Sequence, residues 1–142
     1  MNKQNTKQTP CIRKGRLLPL ISVCSILVFI LFFSIISFYY ISNTCNNFQD
    51  QIDDIKKLVT EDNWTVSELN ASKLTDQWEK EKPLMSILID HRKMELIDVS
   101  ISRSNDYVKN RSKTDSLVEL NQTAQQIYGI YMSEIPTLFN IF

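Results

Sequence analysis

At 142 residues the chain has room for one modest domain and little else. Only 2 glycines and 4 prolines punctuate it, too few for an all-β protein built on many tight turns, so helix is expected throughout. The net charge of zero hides an asymmetry: five basic residues and no acid precede Leu17, and the balance after it is −5, opposite in sign to the basic patch of a nucleic-acid binder.

The five are Lys3, Lys7, Arg13, Lys14 and Arg16, in a tail over residues 1–16. Residues 17–41 follow as LLPLISVCSILVFILFFSIISFYYI, 25 residues without a charge. At ~1.5 Å per residue they make a helix of ~37 Å, against a hydrocarbon core of ~30 Å. Pro19 stands near the start, where a missing N–H matters least, and Tyr39 and Tyr40 suit the outer interface. The basic tail should stay in the cytoplasm, which places residues 42–142 on the far side of a cell membrane. A cleaved signal peptide fits less well, since its apolar region spans only ~7–15 residues before a small-residue exit. SFYYISNTC offers no such exit. An uncleaved single-pass anchor is expected.

The three cysteines fall in three environments: Cys11 in the tail, Cys24 in the apolar run and Cys45 just past it. No intrachain disulfide is expected. Cys45 is placed either to link two copies outside the cell or to remain a thiol near the membrane surface.

Beyond the anchor, Phe48, Ile52, Ile55, Leu58 and Val59 fall mostly at steps of three and four, one face of an amphipathic helix that the membrane helix runs into. Thr60-Glu61-Asp62-Asn63 reads as a turn. A second helix carries Trp64, Leu69, Leu74 and Trp78, and Pro83 is expected to open a third. That third helix carries Leu84, Ile87, Leu88, His91, Met94, Ile101 and Val108. The polar run from Asn110 to Asp115 reads as a turn. A fourth helix follows through Leu117, Leu120, Ala124, Ile127 and Tyr131, with Pro136 ending it and an apolar Leu138-Phe139-Asn140-Ile141-Phe142 closing the chain. The predicted architecture is all-α: an N-terminal transmembrane helix, then an antiparallel bundle of about four helices. Segments 48–80 and 84–133 form a weak helix-loop-helix repeat, with Asp62 and Asp115 at the two turns.

The run Trp78-Glu79-Lys80, the stretch Ser86-Ile87-Leu88-Ile89-Asp90-His91, the pair Asn63-Trp64 and the closing Asn140-Ile141-Phe142 carry a resemblance over nearly the whole chain. Together they resemble the bacterial domain-of-unknown-function family 4363, short membrane-anchored proteins of clostridia and their relatives. Leu-Ile-Asp-His is the most specific part. After the histidine the family tends to have an acid, an aliphatic residue and an aspartate, whereas Lys93, Met94 and Glu95 stand here. The resemblance implies a bacterial cell-membrane location and no assigned activity.

His91 is the chain's one histidine. On a helix it shares a face with Glu95, and Asp98 lies one turn further. A neutral imidazole and two carboxylates can hold a divalent metal or act as an acid–base pair. The plainer reading is a polar cluster fixing helix register, with the imidazole bonded to Glu95 or Asp98 and to a tryptophan N–H. No cofactor is implied. Trp64 and Trp78, two heptads apart, read as core packing before they read as an aromatic ligand pocket. No glycine-rich phosphate loop and no nucleophile elbow occurs. Four Asn-x-Ser/Thr sequons begin at Asn63, Asn70, Asn110 and Asn121. They are glycan acceptors only in a eukaryotic setting.

The expected function is that of a non-enzymatic accessory or scaffold whose partners are the lipid bilayer, another membrane or envelope protein, or a second copy in a homodimer. The alternative is a ligand- or metal-sensing outer domain centred on His91, Glu95 and Asp98. A hydrolase ranks last, for want of a nucleophile–base pair.

Overall fold

The computed structural model describes the backbone of residues 14–134 and the side chains of 19–133. The tail up to Arg13, the stop at Pro136 and the apolar end from Leu138 lie outside these residues. Four helices appear in order among the described residues: α1 (Lys14–Thr60), α2 (Trp64–Leu88), α3 (His91–Lys109) and α4 (Lys113–Glu134), with no strand. The chain divides into two units, Met1–Ile36 and Ser37–Phe142.

In the first unit the large apolar side chains from Leu20 to Ile36 have no protein cover; Phe29 is 70% exposed. The helix that carries them is long and apolar enough to cross a membrane. Pro19 lies inside α1 rather than in its first turn.

The second unit is a four-helix bundle. Its core follows a heptad pattern: Ile41, Cys45, Phe48, Ile52, Ile55 and Val59 on α1 are buried at alternating steps of four and three. Ala71, Leu74, Trp78 and Met85 continue it on α2, Met94, Ile97, Ile101 and Val108 on α3, and Leu120, Ile127 and Ile130 on α4. A 3.5-residue period keeps one seam of each helix turned inward, the packing geometry of left-handed bundles. Cys45, 1% exposed, is part of that seam. It cannot link two copies without opening the core, which corrects the linkage considered from its position in the sequence.

α1 continues past the apolar stretch to Thr60, as its periodicity predicts. The turn after it is a helix C-cap of Schellman type: Asp62 N–H bonds Val59 O at 3.2 Å and Asn63 N–H bonds Leu58 O at 2.9 Å. Asp62 adopts the required left-handed backbone, φ 57°. The turn between α3 and α4 repeats this geometry: Arg111 N–H bonds Val108 O at 3.0 Å, Ser112 N–H bonds Tyr107 O at 3.1 Å, and Arg111 has φ 55°. Asp62 therefore corresponds to Arg111, not to Asp115. Asp115 lies in the first turn of α4 and accepts a hydrogen bond from the Ser112 hydroxyl.

The resulting offset of 49 residues, seven heptads, superimposes core position on core position: Cys45 on Met94, Phe48 on Ile97, Ile52 on Ile101, Val59 on Val108, Ser67 on Ser116, Ala71 on Leu120 and Trp78 on Ile127. The bundle is thus two helical hairpins with one register. The weak repeat read from the sequence is real, but its boundaries shift. Its halves also differ in chemistry. Ile55 and Leu74 fill a layer in the first hairpin, where Ser104 and Thr123 in the second share a buried hydrogen bond at 3.2 Å.

Pro83 does not open a helix. It lies inside α2, which continues to Leu88. Proline forfeits the bond its N–H would make to the carbonyl four residues back. Buried Trp78 and Met85 on either side hold the helix through that gap. The true break is at Ile89, whose extended backbone (φ −120°, ψ 147°) ends α2, and at Asp90, whose carboxylate accepts from Arg92 N–H at 2.9 Å and caps α3. The break resets the helical phase. Leu84 and Ile87, placed on a buried face by counting from Pro83, are therefore exposed, Ile87 at 77%. Leu69 is exposed as well, because the inward positions of α2 are Ser67, Ala71 and Leu74.

Candidate functional site

The most developed polar feature of the bundle lies in a cleft of about 380 Å³ between α2 and α3, lined by residues including Thr75, Trp78, Glu79, Asp98 and Arg103. The heptad pattern of α2 puts Trp78 in the core, where its ring meets Phe48 edge to face at 5.7 Å between centroids. Burying an indole requires a partner for its N–H. Asp98, one residue past buried Ile97 on α3, supplies it: Nε1 donates to Oδ1 at 3.0 Å. Lys82, one turn beyond Trp78, donates to Oδ2 at 2.9 Å and stands 3.6 Å from Glu79.

Both carboxylate oxygens of Asp98 are thus engaged. Burial alone would raise the pKa of this group, but the hydrogen bonds from Lys82 and Trp78, with the Lys82 charge, outweigh it and hold the carboxyl below its ordinary value. The hydrogen bond to Asp98 raises Lys82 above its own ordinary value against the opposing effect of burial, and the charges of Asp98 and Glu79 add to it. The arrangement fixes an ion pair at the α2–α3 seam and leaves Arg103 at the cleft edge.

The three residues singled out by the sequence are not brought together. Asp98 serves Trp78 and Lys82, while His91 and Glu95 are exposed on α3. His91 is the first residue of that helix, directly after its cap. Among the described residues, no three His, Cys, Asp or Glu side chains gather as a metal-binding group. The tryptophan N–H expected in a polar cluster is present, but it meets Asp98 without the imidazole. Trp78 proves a core residue, and Trp64 is half-buried against the same core.

A second polar patch had no sequence signal. Glu119, only 7% exposed on α4, accepts from Ser100 Oγ at 2.9 Å. Ser116 Oγ, Asn105 Oδ1 and Gln126 Oε1 are buried without a hydrogen-bond partner. Serines, an asparagine, a glutamine and a glutamate at these positions look like an exposed helix face in the sequence. Only the pairing of α3 with α4 turns them inward.

Leu88-Ile89-Asp90-His91, the most specific stretch of the resemblance, coincides with the α2–α3 corner. Its chemistry is that of a helix stop joined to a helix start: a buried Ile89 pins the corner and Asp90 caps α3. No curated protein and no solved structure matches the chain. A family model does match residues 35–141, beginning close to the boundary between the two units. The chain belongs to that family, described as a domain of unknown function (DUF4363).

Proposed function

We infer that the protein is a non-enzymatic, single-pass accessory or scaffold of a bacterial cell membrane. The apolar part of α1 anchors it, the basic tail remains in the cytoplasm, and the four-helix bundle is presented outside to another membrane or envelope protein. The observation that carries this reading is the continuous band of exposed apolar side chains from Leu20 to Ile36, on the same helix that supplies the first seam of a self-filled core. Such a band is costly in water and favourable in lipid. The five cations before it set the orientation. The corner and cleft side chains have structural duties, capping α3 and pairing a buried indole, which favours binding over turnover.

Two measurements test it together. The full chain should stay with membranes through alkaline carbonate washing, and protease added to intact cells should digest the bundle while sparing an epitope placed in the tail. Release by carbonate, or a mature chain beginning near Asn43, would overturn the anchor. Crosslinking in cells should trap a membrane or envelope protein on the bundle; a chain that crosslinks to nothing would overturn the scaffold role. The alternative centred on His91 gains no assembled ligand set from the geometry, so no metal- or ligand-sensing role is proposed.

A further inference from the structure

The two ends of the bundle differ in chemistry. At one end Lys113 donates to Thr60 O at 2.8 Å and brings together the α1–α2 and α3–α4 turns, whose residues 61–63 and 110–112 are all polar. At the other end is the α2–α3 corner, approached by residues 83–89, a run (PLMSILI) without a charge. The core takes Met85 and Ile89 from this run and leaves Pro83, Leu84 and Ile87 exposed, three and four residues apart on one face of α2. Ile87, at 77%, is more exposed than any side chain of the apolar band of α1, where Phe29 reaches 70%.

The position of this face is an independent observation. The Tyr40 hydroxyl donates to Glu81, which sets α2 at Glu81 level with α1 at Tyr40. α2 runs antiparallel to α1, so Ile87, six residues further on, stands ~9 Å beyond that level at ~1.5 Å per residue. It does so on the side from which the chain enters the bundle at Ser37. A hydrocarbon core of ~30 Å takes ~20 residues of helix, and counted from Leu17 these end at Ile36. Residues 37–41 then lie among the lipid headgroups, a placement that rests on the anchored reading above.

We propose that the α2–α3 corner is a second membrane contact, at which Leu84 and Ile87 enter the headgroup layer of the bilayer that α1 crosses. Lipid is the occupant because the corner projects past residues 37–41 toward the apolar band of its own chain. Its charges agree. Exposed Arg92 and half-buried Lys93 follow the corner directly, and cations beside an apolar face suit a layer of lipid phosphates. Two neighbouring acids are engaged elsewhere, Asp90 as the cap of α3 and Glu81 with Tyr40. Two apolar side chains hold a protein at a membrane only when a stronger anchor keeps them there, so the corner acts with α1 and not in its place.

The test uses the full chain in vesicles of phosphatidylglycerol and phosphatidylethanolamine, with Cys11→Ser and Cys24→Ser to remove other thiols and buried Cys45 left in place. A polarity-sensitive fluorophore is attached at Ile87→Cys, at Glu61→Cys in the opposite turn, or at Phe29→Cys in the apolar band. All three positions are exposed, so each labelled chain should melt as the parent does. Emission at Ile87→Cys should lie to the blue of that at Glu61→Cys, and lipids brominated in the upper acyl chain should quench the first and spare the second. A Phe29→Cys probe that brominated lipid leaves unquenched would overturn the anchored reading and, with it, this contact. With Phe29→Cys quenched, an Ile87→Cys probe that emits as in water and escapes quenching would overturn the corner contact alone. A blue-shifted Ile87→Cys probe that lipid does not quench would place protein over the corner, the apolar end over residues 138–142 or another chain, and overturn lipid as its occupant.

Discussion

The indole Nε1 of Trp78 donates to one carboxylate oxygen of Asp98 at 3.0 Å while Lys82 holds the other at 2.9 Å. Through this triangle the buried tryptophan of α2 is tied to the N-terminal half of α3. Trp78→Phe keeps most of the buried ring but removes the donor, so it should lower unfolding free energy by about 1–2 kcal/mol. Trp78→Ala removes the packing too and should cost about 3–5 kcal/mol. Urea unfolding followed by circular dichroism measures both, and a Trp78→Phe variant as stable as the parent would show that the N–H contributes nothing.

The same pair fixes the sign of a pH dependence. Asp98 has a depressed folded-state pKa, so its stabilising effect is complete above the unfolded value of ~3.9 and is lost as pH falls through the lower folded value. Lys82 has a raised one, so its effect is complete below ~10.4 and is lost as pH rises beyond its folded value. Each side chain is 36% exposed, so solvent screening keeps the amplitude small. Urea midpoints should fall below pH 4 more steeply for the parent than for Asp98→Asn. Parallel acid limbs would remove Asp98 as their source.

Pro83 interrupts the hydrogen bonding of α2 at an exposed position. Pro83→Ala restores an N–H that can reach the Glu79 carbonyl and leaves no cavity. The bundle should gain about 1–3 kcal/mol. A loss of stability would mean that the proline shapes the approach to the α2–α3 corner.

At that corner Asp90 and His91 are adjacent but unequal. Asp90→Ala removes the cap of α3 and should cost about 1 kcal/mol. His91→Ala, at an exposed first position, should change stability by no more than about 0.5 kcal/mol. A larger loss at His91 than at Asp90 would reverse the assignment.

Glu119 is buried with Ser100 as its side-chain donor. Ser100→Ala leaves that carboxylate without its donor and should cost about 1–3 kcal/mol. Ser67→Ala removes only a hydroxyl bonded back to the Asn63 carbonyl of its own helix and should cost less. Similar losses for the two would show that Glu119 finds another partner.

The sequence by itself determined the helical class, the apolar stretch of α1, its passage into the amphipathic segment after Phe48, both polar turns and the family. Each is a local property: hydrophobic period, run length and turn chemistry are set by neighbouring residues. Tertiary structure alone decided that Pro83 lies within a helix, because buried anchors on either side outweigh one missing hydrogen bond. It also decided that Ile87 faces out, since the break at Ile89 resets the phase, and that the two hairpins align 49 residues apart. Asp98 turns to Trp78 and Lys82 rather than to His91 because α2 brings a buried donor and a cation to that side of α3, a contact between helices that spacing along one of them does not reveal.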